Sequence, residues 1–142
     1  MITFLTKGVE FPAISEAKVR EWIKAVAATY GKHAGDITYI FCNDEEILRV
    51  NRQFLSHDYY TDIITFDYTD GHTISGDLFI SLDTVHTNAQ SLNQDYDTEL
   101  HRVIIHGILH LCGINDKGPG EREIMEGEEN KALALLVDYA TM

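Results

Sequence analysis

Cysteine and positive charge are both scarce in this chain. Two cysteines occur among 142 residues, Cys42 and Cys112, far apart and with no paired spacing. That excludes a disulfide framework and leaves two free, buried thiols as the expectation. Lys and Arg total 11 against 23 Asp and Glu, for a formal net charge of −12. Neutralising phosphates supplies most of the affinity of ordinary nucleic-acid binders, so this balance argues against nonspecific RNA or DNA binding. It leaves open a local site where a few cations meet a phosphate. Arg49, Arg52, Arg102, Lys117 and Arg122 are the candidates, and each reads equally well as ordinary surface charge. Long apolar runs are missing too, which excludes a helical membrane span. Met1 to Lys7 is too short an apolar stretch for a signal peptide, and no small-residue cleavage site follows, so the cytoplasm is the expected setting. There is no repeat, linker or low-complexity tract. With 44% hydrophobic residues, the expectation is one globular domain, residues 1–142, with a real core.

What is present reads as mixed helices and short strands. Residues 2–7 alternate weakly as a first strand. Ser15 caps a helix that ends at Gly31 and turns Val19, Trp22, Ile23 and Val26 inward. Asp36 to Cys42 is β-branched and aromatic, hence a strand, and Asn43 and Asp44 cap a second helix through Phe54. Ile63 to Tyr68 and Ile74 to Ser81 are strands joined by the turn residues Thr69 to His72, with Gly76 marking a bulge or a close approach. Asp83 caps a third helix. A fourth starts near Asp97 or Thr98, and a fifth runs from Glu121 to Asp138 with Ile124, Leu133, Leu136 and Val137 inward. The pattern predicts an α+β (mixed α/β) fold: a small mixed sheet covered by helices.

The chemistry gathers in the fourth helix. His106 and His110 stand four apart within the apolar run Val103, Ile104, Ile105, Ile108, Leu109 and Leu111. Positions i and i+4 lie about 40° apart around a helix axis and about 6 Å along it, so both imidazoles leave one face. Gly113 offers a helix stop, and Asp116 can return a carboxylate to the same point. Two nitrogens and one oxygen with an open position form the pattern of a catalytic zinc site; a structural site is more often closed by four ligands. The bland alternative is a pair of core histidines bonded to carbonyls. This helix should be central and the most buried.

Several stretches together resemble the YbeY family of metal-dependent endoribonucleases. The family signature His-Gly-x-Leu-His-Leu-x-Gly is matched from His106 to Gly113. Asn51 to Leu55, Thr61 to Phe66 and Gly76-Asp77-Leu78 match upstream motifs, while Glu99, Glu121 and Met125 match single positions. The resemblance implies a zinc-binding, metzincin-like core around the helix. It also implies cleavage of single-stranded RNA in 16S rRNA 3′-end maturation and ribosome quality control, with ribosomal RNA or the ribosome as partner and neither membrane nor DNA. Two positions depart. The family's third histidine ligand falls on Asp116, which widens the plausible metals from Zn²⁺ to Mn²⁺ or Fe²⁺. The family's arginine falls on Leu55, for which Arg49 or Arg52 is the substitute to consider.

On this reading His106, His110 and Asp116 hold a metal that polarises a phosphoryl oxygen and acidifies bound water. A proteolytic zincin carries Glu directly after its first histidine, and Gly107 there cannot move a proton. The base is therefore the bound water itself, the 2′-hydroxyl route, or a carboxylate: Asp62, Asp77, Glu99 or Glu121. His57 and His72 are loop residues that can line the site, and Tyr59 and Tyr60 can stack a base. His101 points to another part of the helix face, and His33 and His86 have no metal-like spacing. Two other functions stay open: a metallopeptidase-like zinc hydrolase, and a non-catalytic ribosome-associated protein stapled by its metal.

Overall fold

A computed structural model describes residues 1–55 and 61–140. Strands β1 (Ile2–Thr6) and β2 (His33–Cys42) run parallel, with Ile2 opposite Ile37 and Thr6 opposite Phe41. Helix α1 (Glu16–Thr29) makes the crossover between them. Ser15 caps it by accepting the Lys18 N–H, and Gly31 lies just past its end at φ +71°. Helix α2 (Asp44–Leu55) follows, its first turn capped by the Asn43 side chain, which accepts the Glu46 N–H at 2.9 Å. Strands β3 (Ile63–Asp67) and β4 (Thr73–Ser81) form the expected antiparallel hairpin. Because β4 pairs in parallel with β2, the sheet is mixed, in the order β1-β2-β4-β3. Helices α3 (Leu82–Ser91), α4 (Tyr96–Leu111) and α5 (Glu121–Ala140) complete the described chain.

Strand alternation gives the sheet two faces. Ile37, Tyr39 and Phe41 of β2 and Ile74, Leu78 and Ile80 of β4 join the main core with α1, α4 and α5. Cys42, Ile64 and the half-buried Phe66 and Phe79 join a smaller core with Ile47 and Val50 of α2. Helix α4 buries ten of its 16 residues, which makes it the central helix. It can sit that close because of Gly107. A β-carbon there would lie 2.2 Å from Leu78 Cδ2 and 3.0 Å from Ile63 Cδ1. The buried Tyr39 hydroxyl is satisfied by donating to the Ile104 carbonyl at 2.7 Å. Gly76 is likewise a close approach, since a β-carbon would meet the Phe66 carbonyl oxygen at 2.5 Å. The bulge itself lies on the partner strand, between Ala34 and Ile37.

The structure moves some sequence expectations. Strand β2 begins three residues early, at His33, and α4 begins at Tyr96. Helix α3 is capped by Ser81, not Asp83. Asp83 instead accepts the Asp44 N–H at 3.0 Å, while the Asp44 carboxylate accepts the hydroxyls of Ser81 and Thr84. Two helix N-termini lie side by side, and each satisfies the other's first turn. On α5, Ile124 is 58% exposed; the buried stripe is Met125, Glu129 and Ala132, with Leu133 and Leu136 at its margin. Val137 lies outside the described side chains. Cys42 is buried and Cys112 half-buried, both unpaired, and burial pushes their thiols up to about 12 and about 11. Among the described residues, no helix is long and apolar enough to cross a membrane.

Candidate active site

Helix α4 ends in a glycine turn. The Gly113 N–H reaches the His110 carbonyl and the Ile114 N–H the Leu109 carbonyl, each at 3.0 Å, with Gly113 at φ +98°. This double bond pattern reverses the chain in the space of two residues. The reversal brings Asp116 Oδ2 to 3.3 Å from His106 Nε2. His106, His110 and Asp116 then line one cavity of about 260 Å³, together with Asn51, Leu55, Asp62 and Lys117.

The opposite edge of the His106 ring is held by α5. His106 Nδ1 donates to Glu129 Oε2 at 2.7 Å. Arg102 donates to the other Glu129 oxygen at 2.9 Å and to Asn130 at 2.8 Å. Burial alone would lift the Glu129 carboxyl, but the hydrogen bonds and charges of His106 and Arg102 outweigh it and hold it below the ordinary carboxylate range. For His106 the balance has the same form. Burial favours the neutral ring, and Glu129, Asp116 and Asp62 together overcome it and raise the pKa. Carboxylate–histidine pairing of this kind fixes which nitrogen carries the proton. The Nε2 lone pair then faces the Asp116 carboxylate across 3.3 Å. Two acceptors at that separation call for a proton or a cation between them, so the donor set fits a small cation. Among the described residues, no three His, Cys, Asp or Glu side chains close up into a metal-holding group.

The carboxylates offered by the sequence separate clearly. Asp62 reaches the histidine cavity and also a second one of about 490 Å³, which shares His106 and Asp116 with the first. Burial lifts its carboxyl above the ordinary range, against the opposing charge of His106. Glu99 lines only the second cavity. Its carboxyl is raised by burial first, with Asp62 and Glu129 adding to the effect. Asp77 alternates with Leu78, which meets α4, and so leaves the sheet on the other face. Glu121 folds over Gly118 in the loop before α5. Neither reaches either cavity.

The cations also divide. Lys117 lines the histidine cavity; Arg102 and Arg122 line the second. Arg49 and Arg52 line a separate groove with Lys7 and Asn43, where Arg49 is bound to Glu46 and Gln53. His72 lies in the β3–β4 turn, outside the cavity lining. His101 accepts a role in the core: Nδ1 pairs with the Asp97 carbonyl at 2.7 Å and the ring packs on Trp22. His57, Tyr59 and Tyr60 lie outside the described residues. Sequence reasoning missed Glu129. Its signal was an acid at i+4 from Met125 on the stripe that α5 buries.

Fold and site together define an α+β protein whose central helix carries two histidines into a polar cavity shared with an aspartate. The family model described as Endoribonuclease YbeY matches residues 2–137. Proteins named Endoribonuclease YbeY are 70% identical over 135 residues in Parabacteroides distasonis, covering 95% of each chain. In Phocaeicola vulgatus the identity is 70% over 136 residues, covering 96% of this chain and 99% of that one. A solution structure from Thermotoga maritima superposes with a TM-score of 0.67 at 28% identity, covering 96% of this chain and 89% of that one. The chain belongs to the endoribonuclease YbeY family.

Proposed function

We propose that this chain is a hydrolytic endoribonuclease that cuts single-stranded RNA in 16S rRNA 3′-end maturation and ribosome quality control. It acts in the cytoplasm as a single domain, with one Zn²⁺ held by His106, His110 and Asp116 on a metzincin-like central helix. The shared name of the relatives supports RNA cleavage. The ribosomal step rests on the motif resemblance. One observation carries the site: His106 has its Nδ1 committed to Glu129 while Nε2 faces Asp116, in a cavity that His110 also lines.

When bound, a divalent ion there supplies Lewis-acid polarisation of a phosphoryl oxygen and acidifies water. The chain's own residues do the rest. Arg102 holds Glu129, and Glu129 holds the His106 ring in one tautomer. Lys117, exposed at the cavity wall, meets the charge of the phosphate. Asp62, between the two cavities and raised by burial, takes the proton of the attacking water at its carboxylate. A peptidase-like reading loses its base, because Gly107 has no room for any side chain against Leu78 and Ile63.

The test is metal content and single-stranded RNA cleavage on the same preparations of wild type, His110→Ala and Asp116→Ala. About one zinc per chain, lost in both variants together with cleavage, is the expected result. Metal that survives both substitutions, or cleavage that survives metal loss, would sink the assignment.

A further inference from the structure

Glu129 reaches His106 only when α5 is turned correctly about its own axis. A helix with its side chains is about 10–12 Å across, so a carboxylate rides about 5–6 Å from the axis and a turn of about 20° moves it about 2 Å. That displacement breaks a hydrogen bond such as the 2.7 Å one from His106 Nδ1. Arg102 grips Glu129 and Asn130 from α4, but through a long side chain with many rotamers, which can follow such a turn. A stiffer contact has to set the angle.

Helix α1 supplies two. The Trp22 indole N–H donates to the Ala132 carbonyl at 2.8 Å, and the hydroxyl of Tyr30, at the end of α1, donates to Glu128 at 2.5 Å. Glu128 and Ala132 stand one turn apart on one face of α5, on either side of Glu129 in sequence. Pinning both fixes the rotation of α5 and hence the direction of Glu129. Trp22 is fully buried and its flat ring turns about only two torsions, so its N–H marks a fixed point. The same ring packs on His101, five residues before His106 on α4, with centroids 5.9 Å apart. One side chain therefore touches both helices that the His106–Glu129 bond joins. A carbonyl oxygen has two lone pairs, and that of Ala132 already serves the α5 ladder, so α5 does not need the indole for its own satisfaction.

We propose that Trp22 and Tyr30 are positioning residues for the metal site. They form a strut from α1, with Trp22 110 residues before Ala132 in the chain, that sets the rotation of α5 and so brings Glu129 onto His106. The inference rests on His106 being a metal ligand, as proposed above.

The test uses the full-length protein in two variants. Trp22→Phe keeps an aromatic ring and removes the N–H; Tyr30→Phe removes only the hydroxyl of a half-buried residue. Ile47→Val thins the smaller core on the opposite face of the sheet and serves as the control for lost stability alone. In the metal-free protein, the His106 Nδ1–H proton followed by NMR should exchange with water about tenfold faster in each α1 variant than in wild type or Ile47→Val. Zinc affinity by chelator competition should fall about three- to tenfold in the α1 variants, less than for a change at Glu129 itself. Both readouts unchanged in Tyr30→Phe, whether or not Trp22→Phe folds, would overturn the proposal, as would equal losses in Ile47→Val. Faster exchange in the α1 variants of a protein that binds no zinc would keep the strut and remove the metal reading. Zinc bound at wild-type strength by both variants, with exchange unchanged, would do the reverse.

Discussion

Two histidines on α4 show how environment assigns a residue's role. His101 pairs with a carbonyl of its own helix and packs on Trp22, so its polarity is spent within the core. His106 pairs with a carboxylate from α5 and turns its second nitrogen to Asp116. Glu129 is the difference between them. Replacing it with glutamine keeps an acceptor beside Nδ1 but removes the charge that Arg102 and His106 both lean on. Zinc affinity of Glu129→Gln, measured by chelator competition, should fall about 10–100-fold. Unchanged affinity would mean that Glu129 only packs. Gly107 makes a second prediction at this scale. Even one methyl group there meets Leu78, whose side chain is fully buried and cannot swing clear. Gly107→Ala should therefore lose about 1–3 kcal/mol in urea unfolding despite its gain in helix propensity.

At the scale of elements, the turn after α4 and the rotation of α5 place the site. Gly113 sits at φ +98°, a conformation that costs an L-residue about 1–2 kcal/mol. Gly113→Ala should be destabilised by about that amount, and it should also bind zinc more weakly, because Asp116 rides on the same reversal. A loss of stability with zinc affinity intact would separate the turn from the site. For α5, the stripe Met125, Glu129 and Ala132 faces inward and Ile124 faces water. Ile124→Glu should stay within about 0.5 kcal/mol of wild type by thermal or urea melting, as exposed substitutions do. A loss of several times that size would mean that Ile124 is part of the core after all.

The whole molecule carries −12, and its few cations are distributed unevenly. Lys117 and Arg122 border the two joined cavities; Arg49, Arg52 and Lys7 line a groove elsewhere. RNA held only at the cavities makes about two phosphate contacts. Each contributes about −0.7 to the slope of log affinity against log salt for a single strand, so the expected slope is about −1.4. A slope steeper than about −3 would show that the strand also crosses the α2 groove.

Much of this was legible because it is local. The 3.6-residue period places Val19, Trp22, Ile23 and Val26 in the core, and the i, i+4 spacing places His106 and His110 on one face. Gly113 and Asp116 followed from turn chemistry within six residues of His110. Motif order along the chain gave the family. What stayed hidden depends on contacts between distant segments. The Ser81–Asp44–Asp83 exchange joins two helix starts almost forty residues apart. The exclusion of Asp77 and Glu121 and the placing of Arg49 and Arg52 in another groove depend on which face each element presents. Glu129, 23 residues from His106, looks in sequence like one more acid on an acidic helix. The sequence by itself determined the histidine-bearing helix, its stop and the family, since these depend on period, turn chemistry and motif order. Only the tertiary structure decided which carboxylate holds the histidine and which acids line its cavity, because burial and hydrogen-bond partners are set by packing across the whole chain.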